Sequence, residues 1–138
     1  MQPSAFSSTT SQPTVLLVDD DPAVRQLTRC ILAEHGYEVI EARDGVEALE
    51  LVDKGIATVD LLVTDIIMPR MNGLILAQRI SQQRPEVRIL YVSGYAETSM
   101  MTARVAGSSI LQKPFTAERL IVAVRHSLSS KLGAVGAA

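Results

Sequence analysis

Short apolar, β-branched runs that end in acids alternate along this chain with stretches whose apolar residues recur every three or four positions. Few folds accept that alternation. Val15-Leu16-Leu17-Val18 is apolar at every position, which suits a parallel strand covered on both faces. Asp21 and Pro22 follow as a helix N-cap and first helical residue, and Val24, Leu27, Thr28 and Ile31 then recur at helical spacing up to Gly36. Tyr37 to Ala42 reads as a second strand. Asp44 and Glu47 form a capping-box pair opening a second helix, with Val46, Leu49 and Val52 or Leu51 facing inward. Leu61-Leu62-Val63 is a third strand ended by Asp65. Leu74, Ala77, Ile80 and Ser81 then mark a third helix that stops before Pro85, because a residue preceding proline avoids helical angles. Val87 to Val92 is a fourth strand, Thr98 to Ala106 a weaker fourth helix, Ile110-Leu111 a short fifth strand, and Thr116 to about Leu128 a last helix. Strands separated by helices pair in parallel through right-handed crossovers, so the pattern predicts an α/β fold with an open parallel sheet between two helical layers.

Composition narrows the rest. A chain of 138 residues, 47% hydrophobic, buries roughly two-thirds of the surface its unfolded form exposes, enough for a core without metal or disulfide. The single Cys30 is read as a small buried or half-buried hydrophobe rather than a reactive thiol. With 13 basic against 15 acidic residues, 4% aromatics and no Trp, the chain lacks the basic surface and stacking platform of a direct nucleic-acid binder. It has no apolar run near the ~20 residues of a membrane span, and its Met1 end lacks a signal-peptide layout, so no membrane partner and a cytoplasmic setting are expected. Residues 1–14, rich in Ser, Thr, Gln and Pro, are expected to be a flexible tail, 15–130 one domain, and 131–138 a second tail.

In such sheets ligands bind beyond the carboxyl ends of the strands, where the strand order reverses. Strand one ends in Asp19-Asp20-Asp21, strand three in Asp65, strand four in Ser93, and strand five in Gln112-Lys113-Pro114. Carboxylates about 4 Å apart repel by about 4 kcal/mol per pair at an effective dielectric near 20, so a cluster of them needs a cation or a proton. Hard oxygen ligands without Cys or His favour Mg²⁺ or Mn²⁺. A cation beside Lys113 makes a site for transferring an anion, and a carboxylate is itself able to take up a phosphoryl group as an acyl phosphate. Asp21 is better placed as the cap of the first helix. His126, beside Arg125 and Ser127, is read as a solvated residue, His35 as a cation at a helix end, and Met100-Met101 as packing.

At Val-Asp19-Asp20-Asp21-Pro, Thr-Asp65-Ile-Ile-Met-Pro, Ser93-Gly94 and Lys113-Pro114-Phe115, in that order, the sequence resembles the receiver domains of two-component response regulators, from about Val15 to Leu128. The resemblance implies a flavodoxin-like sheet of order 2-1-3-4-5. It makes Asp65 the phosphoacceptor, Asp20 a direct Mg²⁺ ligand, Asp19 a ligand mostly through water, and the backbone carbonyl of Ile67 a further ligand. Ser93 becomes the switch hydroxyl, Lys113 the phosphate-pairing cation, and the bond before Pro114 a cis candidate. The partners implied are a histidine kinase or a histidine phosphotransfer protein, and a downstream protein bound through the fourth helix, fifth strand and fifth helix. Leu90-Tyr91-Val92-Ser93-Gly94-Tyr95 and Ile110 to Phe115 look in addition like receivers fused to hybrid histidine kinases.

Two features depart from the family pattern. Ile110 stands where many receivers carry a switch aromatic, so the aromatic part of the switch is missing. Ile67 and Tyr95 flank the phosphorylation site without a carboxylate or amide to orient a water, which implies slow self-dephosphorylation. Three competing readings are a Mg²⁺-dependent phosphohydrolase of the haloacid dehalogenase type, using Asp19 and Asp21 as an Asp-x-Asp pair, an inert interaction module, and a phosphate sink without output.

Overall fold

The computed structural model describes residues 12–55, 58–94 and 109–129. Five strands, β1 (Thr14–Val18), β2 (Glu38–Ala42), β3 (Leu61–Asp65), β4 (Arg88–Ser93) and β5 (Ser109–Gln112), alternate with helices α1 (Pro22–Glu34), α2 (Gly45–Asp53), α3 (Gly73–Gln83) and α4 (Ala117–Ser129). All strand pairs are parallel, and the sheet order is β2-β1-β3-β4-β5. The expected helix from Thr98 to Ala106, with Met100 and Met101, lies outside the described residues, so α4 is the helix expected as the fifth. The expected tails lie outside them too, except at one edge. Thr14, assigned to the N-terminal tail by its polarity, is the first residue of β1, where its N–H donates to the Asp60 carboxylate at 2.8 Å.

Each strand feeds two cores because successive side chains alternate faces. Leu16, Val18 and Leu62 join Ala48 and Val52 of α2 and Leu76, Ala77 and Ile80 of α3. Val15, Leu17, Leu61, Val63 and Leu90 join Leu32 of α1 and Leu120 and Val124 of α4 on the opposite face. Continuous apolar strands therefore become a three-layer sandwich, as the alternation requires.

The helix stripes differ in detail from the spacing. In α1 the buried residues are Thr28 and Leu32, while Leu27 is 62% exposed. Burial of Thr28 is cheap because its hydroxyl donates to the Val24 carbonyl at 2.8 Å, and the helix turns this polar residue inward ahead of Leu27. Gly36 ends the turn at φ +91°, a conformation that needs no Cβ. In α2 the small residues Gly45 and Ala48 with Val52 form the buried line, and Val46, Leu49 and Leu51 flank it half-buried. Asp44 caps this helix through the Glu47 N–H, but the Glu47 carboxylate accepts from Arg43 N–H, one residue before a capping box would place it. In α3, Leu76 rather than Leu74 is buried with Ala77 and Ile80, and Leu74 and Ser81 are half-buried.

Candidate functional site

The order of the strands brings the acids together. After β1 the chain crosses to β2 on one side and then to β3 on the other, so the ends of β1 and β3 form the mouth where the order reverses. Asp19 follows β1, and Asp65 closes β3. One carboxylate oxygen from each of Asp19, Asp20 and Asp65 lies within 4.8 Å of the others. Asp19 and Asp65 are buried, and Asp20 is exposed. This donor set is all hard oxygen, with no His or Cys in it, and fits Mg²⁺ or Mn²⁺.

Lys113 supplies the opposing charge from the end of β5. Its Nζ lies 2.8 Å from Asp65 Oδ1 and 3.9 Å from Asp19 Oδ2. The Lys113 N–H donates to the Ser93 carbonyl at 2.7 Å, and the Lys113-Pro114 bond is cis. An open cleft of about 380 Å³ is lined by Asp20, Asp21, Asp65, Ile67, Val92, Ser93, Gly94 and Lys113. Ser93 is buried at the end of β4, and Ile67 is 61% exposed at the rim. Tyr95 lies outside the described residues. Ile110 is half-buried against the core that α2 and α3 cover.

Burial pushes the Asp65 carboxyl up to about 7, against the pull of the Lys113 hydrogen bond and with the charge of Asp19 adding to the rise. Burial alone would lower the Lys113 ammonium, but its hydrogen bond to Asp65 and the charges of Asp65, Asp19 and Asp20 outweigh that and hold it above its ordinary range. Lys113 therefore stays a cation, while Asp65 is an acid whose charge needs compensation.

Asp21 does not join the cluster. Its carboxylate accepts from Ala23 N–H and Val24 N–H as the cap of α1, which removes the Asp-x-Asp pair that a haloacid dehalogenase reading requires. His126 and His35 are exposed, and the His35 ring sits 2.9 Å from the Ile31 carbonyl.

Sequence reasoning passed over several residues that shape the site. A Cβ at Gly73 would overlap the Asp65 carbonyl oxygen, so only glycine lets α3 start this close to β3. The Gly73 N–H donates to the Ile66 carbonyl at 2.7 Å, and Thr64 Oγ1 donates to the Asp65 carbonyl at 2.9 Å. Arg70, at φ 69°, pairs with Asp44 and ties the loop after Asp65 to the start of α2. The Glu47 N–H hydrogen bond and this guanidinium hold the Asp44 carboxyl below its usual range against burial. The sequence spacing starts the third helix at Leu74, whereas Asn72 caps it and Gly73 is its first residue, and nothing in the spacing showed Arg70 reaching Asp44.

The family model of the response regulator receiver domain matches residues 15–125. The chain is 38% identical over 120 residues to the sensor kinase CckA of Brucella abortus (strain 2308), covering 86% of this chain and 13% of that protein. It is 39% identical over 119 residues to the response regulator MprA of Mycobacterium leprae (strain TN), covering 83% of this chain and 50% of that protein. The chain thus spans half or less of the length of these curated relatives. The crystal structure of the receiver domain from the hybrid histidine kinase CckA superposes with a TM-score of 0.70 at 32% identity, covering 83% of this chain and 98% of that one. With the sheet order, the acid mouth and these likenesses in agreement, the chain belongs to the response regulator receiver domains of two-component signalling.

Proposed function

We propose that Asp65 takes a phosphoryl group from a phosphohistidine on a histidine kinase or histidine phosphotransfer protein, and that the acyl phosphate biases a protein-binding surface. The observation that carries this reading is the Lys113 ammonium 2.8 Å from Asp65 Oδ1, in a cleft that Asp19 and Asp20 also reach. An Asp65 oxygen attacks phosphorus, a P–O bond forms as the P–N bond of the phosphoramidate breaks, and the leaving imidazole takes a proton from solvent. Lys113 pairs with a phosphoryl oxygen, and the Ser93 hydroxyl donates to another. Asp20 and Asp65, the Ile67 carbonyl, and Asp19 through water would hold Mg²⁺, or Mn²⁺ in its place. When bound, the cation neutralises charge that the acids and phosphoryl oxygens otherwise share.

The chain assists its own phosphorylation in this scheme and loses phosphate slowly. Ile67, at the rim of the cleft, has no polar side-chain group to offer beside the acyl phosphate; Tyr95, the other residue expected to tune its loss, lies outside the described residues. The surface that responds includes β5 and α4, with Ile110 in place of an aromatic switch; the expected helix from Thr98 to Ala106 lies outside the described residues. Incubating the protein with a phosphorylated histidine phosphotransfer domain and Mg²⁺ tests the reading. Transfer of label to the wild-type chain and none to Asp65→Asn is expected; equal labelling of both overturns it.

A further inference from the structure

Arg25 of α1 bridges the backbone after β1 to a carboxylate of β2. Its Nη1 donates to the Asp19 backbone carbonyl at 2.7 Å, and its Nε lies 3.1 Å from Glu41 Oε1 of β2. Glu41 holds Arg29 as well, with Arg29 Nε 3.1 Å from its second oxygen. The Arg25 side chain is 19% exposed and that of Glu41 36%, so the ion pair is partly solvated, while the bond to the Asp19 carbonyl is part-buried. The Asp19 N–H donates to Ala42 O at 3.2 Å, and Asp19 Oδ1 accepts from the Asp21 N–H at 2.9 Å. The N–H, the carbonyl and Oδ1 of Asp19 thus each have a hydrogen-bond partner, and Oδ2 pairs with Lys113.

We propose that Arg25, anchored by Glu41, is a positioning residue for the cation site: it fixes the peptide joining Asp19 to Asp20 and so aims both carboxylates at the mouth. The inference rests on the functional reading above and concerns this chain's own residues toward the divalent cation. Asp20 is exposed and has no helix or strand to hold it, so the orientation of its peptide is what sets where its carboxylate points. A planar guanidinium suits the task because its fork reaches a carbonyl and a carboxylate at once, whereas a lysine ammonium is a point charge on a flexible stem.

The sign of the effect separates positioning from plain electrostatics. Arg25 is a cation near a cation site, so by Coulomb's law alone removing it tightens Mg²⁺ binding. Positioning predicts the reverse. Groups that hold metal ligands in place typically cost 10–100-fold in affinity when lost, so Arg25→Ala is expected to raise the Mg²⁺ dissociation constant ~10-fold. Arg25→Lys keeps the charge but loses the fork, and is expected to weaken binding as well.

The test is calorimetric titration of the whole chain with MgCl₂, alongside the Mg²⁺ dependence of labelling by acetyl phosphate. Weaker binding in Arg25→Ala and Arg25→Lys, with the labelling rate restored to within about twofold at saturating Mg²⁺, supports the proposal. Unchanged or tighter binding in the folded variants overturns it. Should Arg25→Ala fail to fold, Arg25→Gln replaces it, since it removes the charge and the fork together and is expected to weaken Mg²⁺ where Coulomb's law alone tightens it; unchanged or tighter affinity there overturns the proposal too. Wild-type protein that takes up no Mg²⁺ overturns the functional reading itself, whereas wild-type binding matched by the variants defeats only the role of Arg25.

Discussion

Lys113 and Asp65, carried to one point by the ends of β5 and β3, form an ion pair with Nζ 2.8 Å from Oδ1. The pair sits where burial works against the carboxylate and where Asp19 adds a second negative charge. Removing the ammonium leaves charge on an incoming phosphoryl group without its fixed counter-ion. Lys113→Ala is expected to slow labelling by acetyl phosphate about 100-fold or more at saturating Mg²⁺, the scale on which single preorganised donors act. A time course of label incorporation measures it, and a rate within about threefold of wild type would count against the pairing role.

The raised Asp65 carboxyl ties stability to pH in metal-free buffer. Its native value of about 7 lies above the ordinary 3.8, so the folded state binds this proton more tightly than the unfolded state. The resulting stability is complete below 3.8 and is lost as pH rises through about 7. Urea denaturation in EDTA is expected to show wild type gaining stability, relative to Asp65→Asn, as the buffer moves from about pH 8 to about pH 5. A wild-type-minus-variant difference that stays flat across that window contradicts the burial of Asp65 as described.

Close approach of α3 to β3 makes Gly73 irreplaceable. Any Cβ there meets the Asp65 carbonyl, which is backbone and cannot swing aside. Gly73→Ala is expected to cost about 1–3 kcal/mol, the usual range for overpacking a tight site, and to disturb Asp65 directly. Gly45→Ala meets mainly the flexible Met71 side chain and is expected to cost less. Denaturant midpoints of the two variants rank them, and equal midpoints would refute the difference.

Ile67, 61% exposed at the rim of the cleft, offers no polar group to a water attacking an acyl phosphate. The phosphorylated chain is therefore expected to keep its phosphate for many minutes at neutral pH with Mg²⁺, and Ile67→Asn to shorten that lifetime. Loss within seconds in the wild-type chain would contradict this.

Much of this was legible because it follows from local chemistry. Asp21-Pro22 announced the start of α1 and Gly36 its end, and the fully apolar Val15 to Val18 required cover on both faces. Asp19, Asp20, Asp65 and Lys113 were legible as one site because acids at successive strand ends converge wherever strands run parallel. What stayed hidden depends on tertiary rotation. Thr28 displaces Leu27 from the inner face of α1 because a local hydrogen bond makes its burial inexpensive. Arg25 and Arg70 look like ordinary helix and loop charges in the sequence, since their partners Asp19, Glu41 and Asp44 become neighbours only once the sheet has formed.

The most direct test of the central claim is where phosphate goes. Exposing the chain to acetyl phosphate and Mg²⁺, reducing the acyl phosphate with borohydride and mapping peptides by mass spectrometry is expected to place the modification on Asp65. Modification on Asp19, or a chain that takes up no phosphate while folded and supplied with Mg²⁺, would contradict the account.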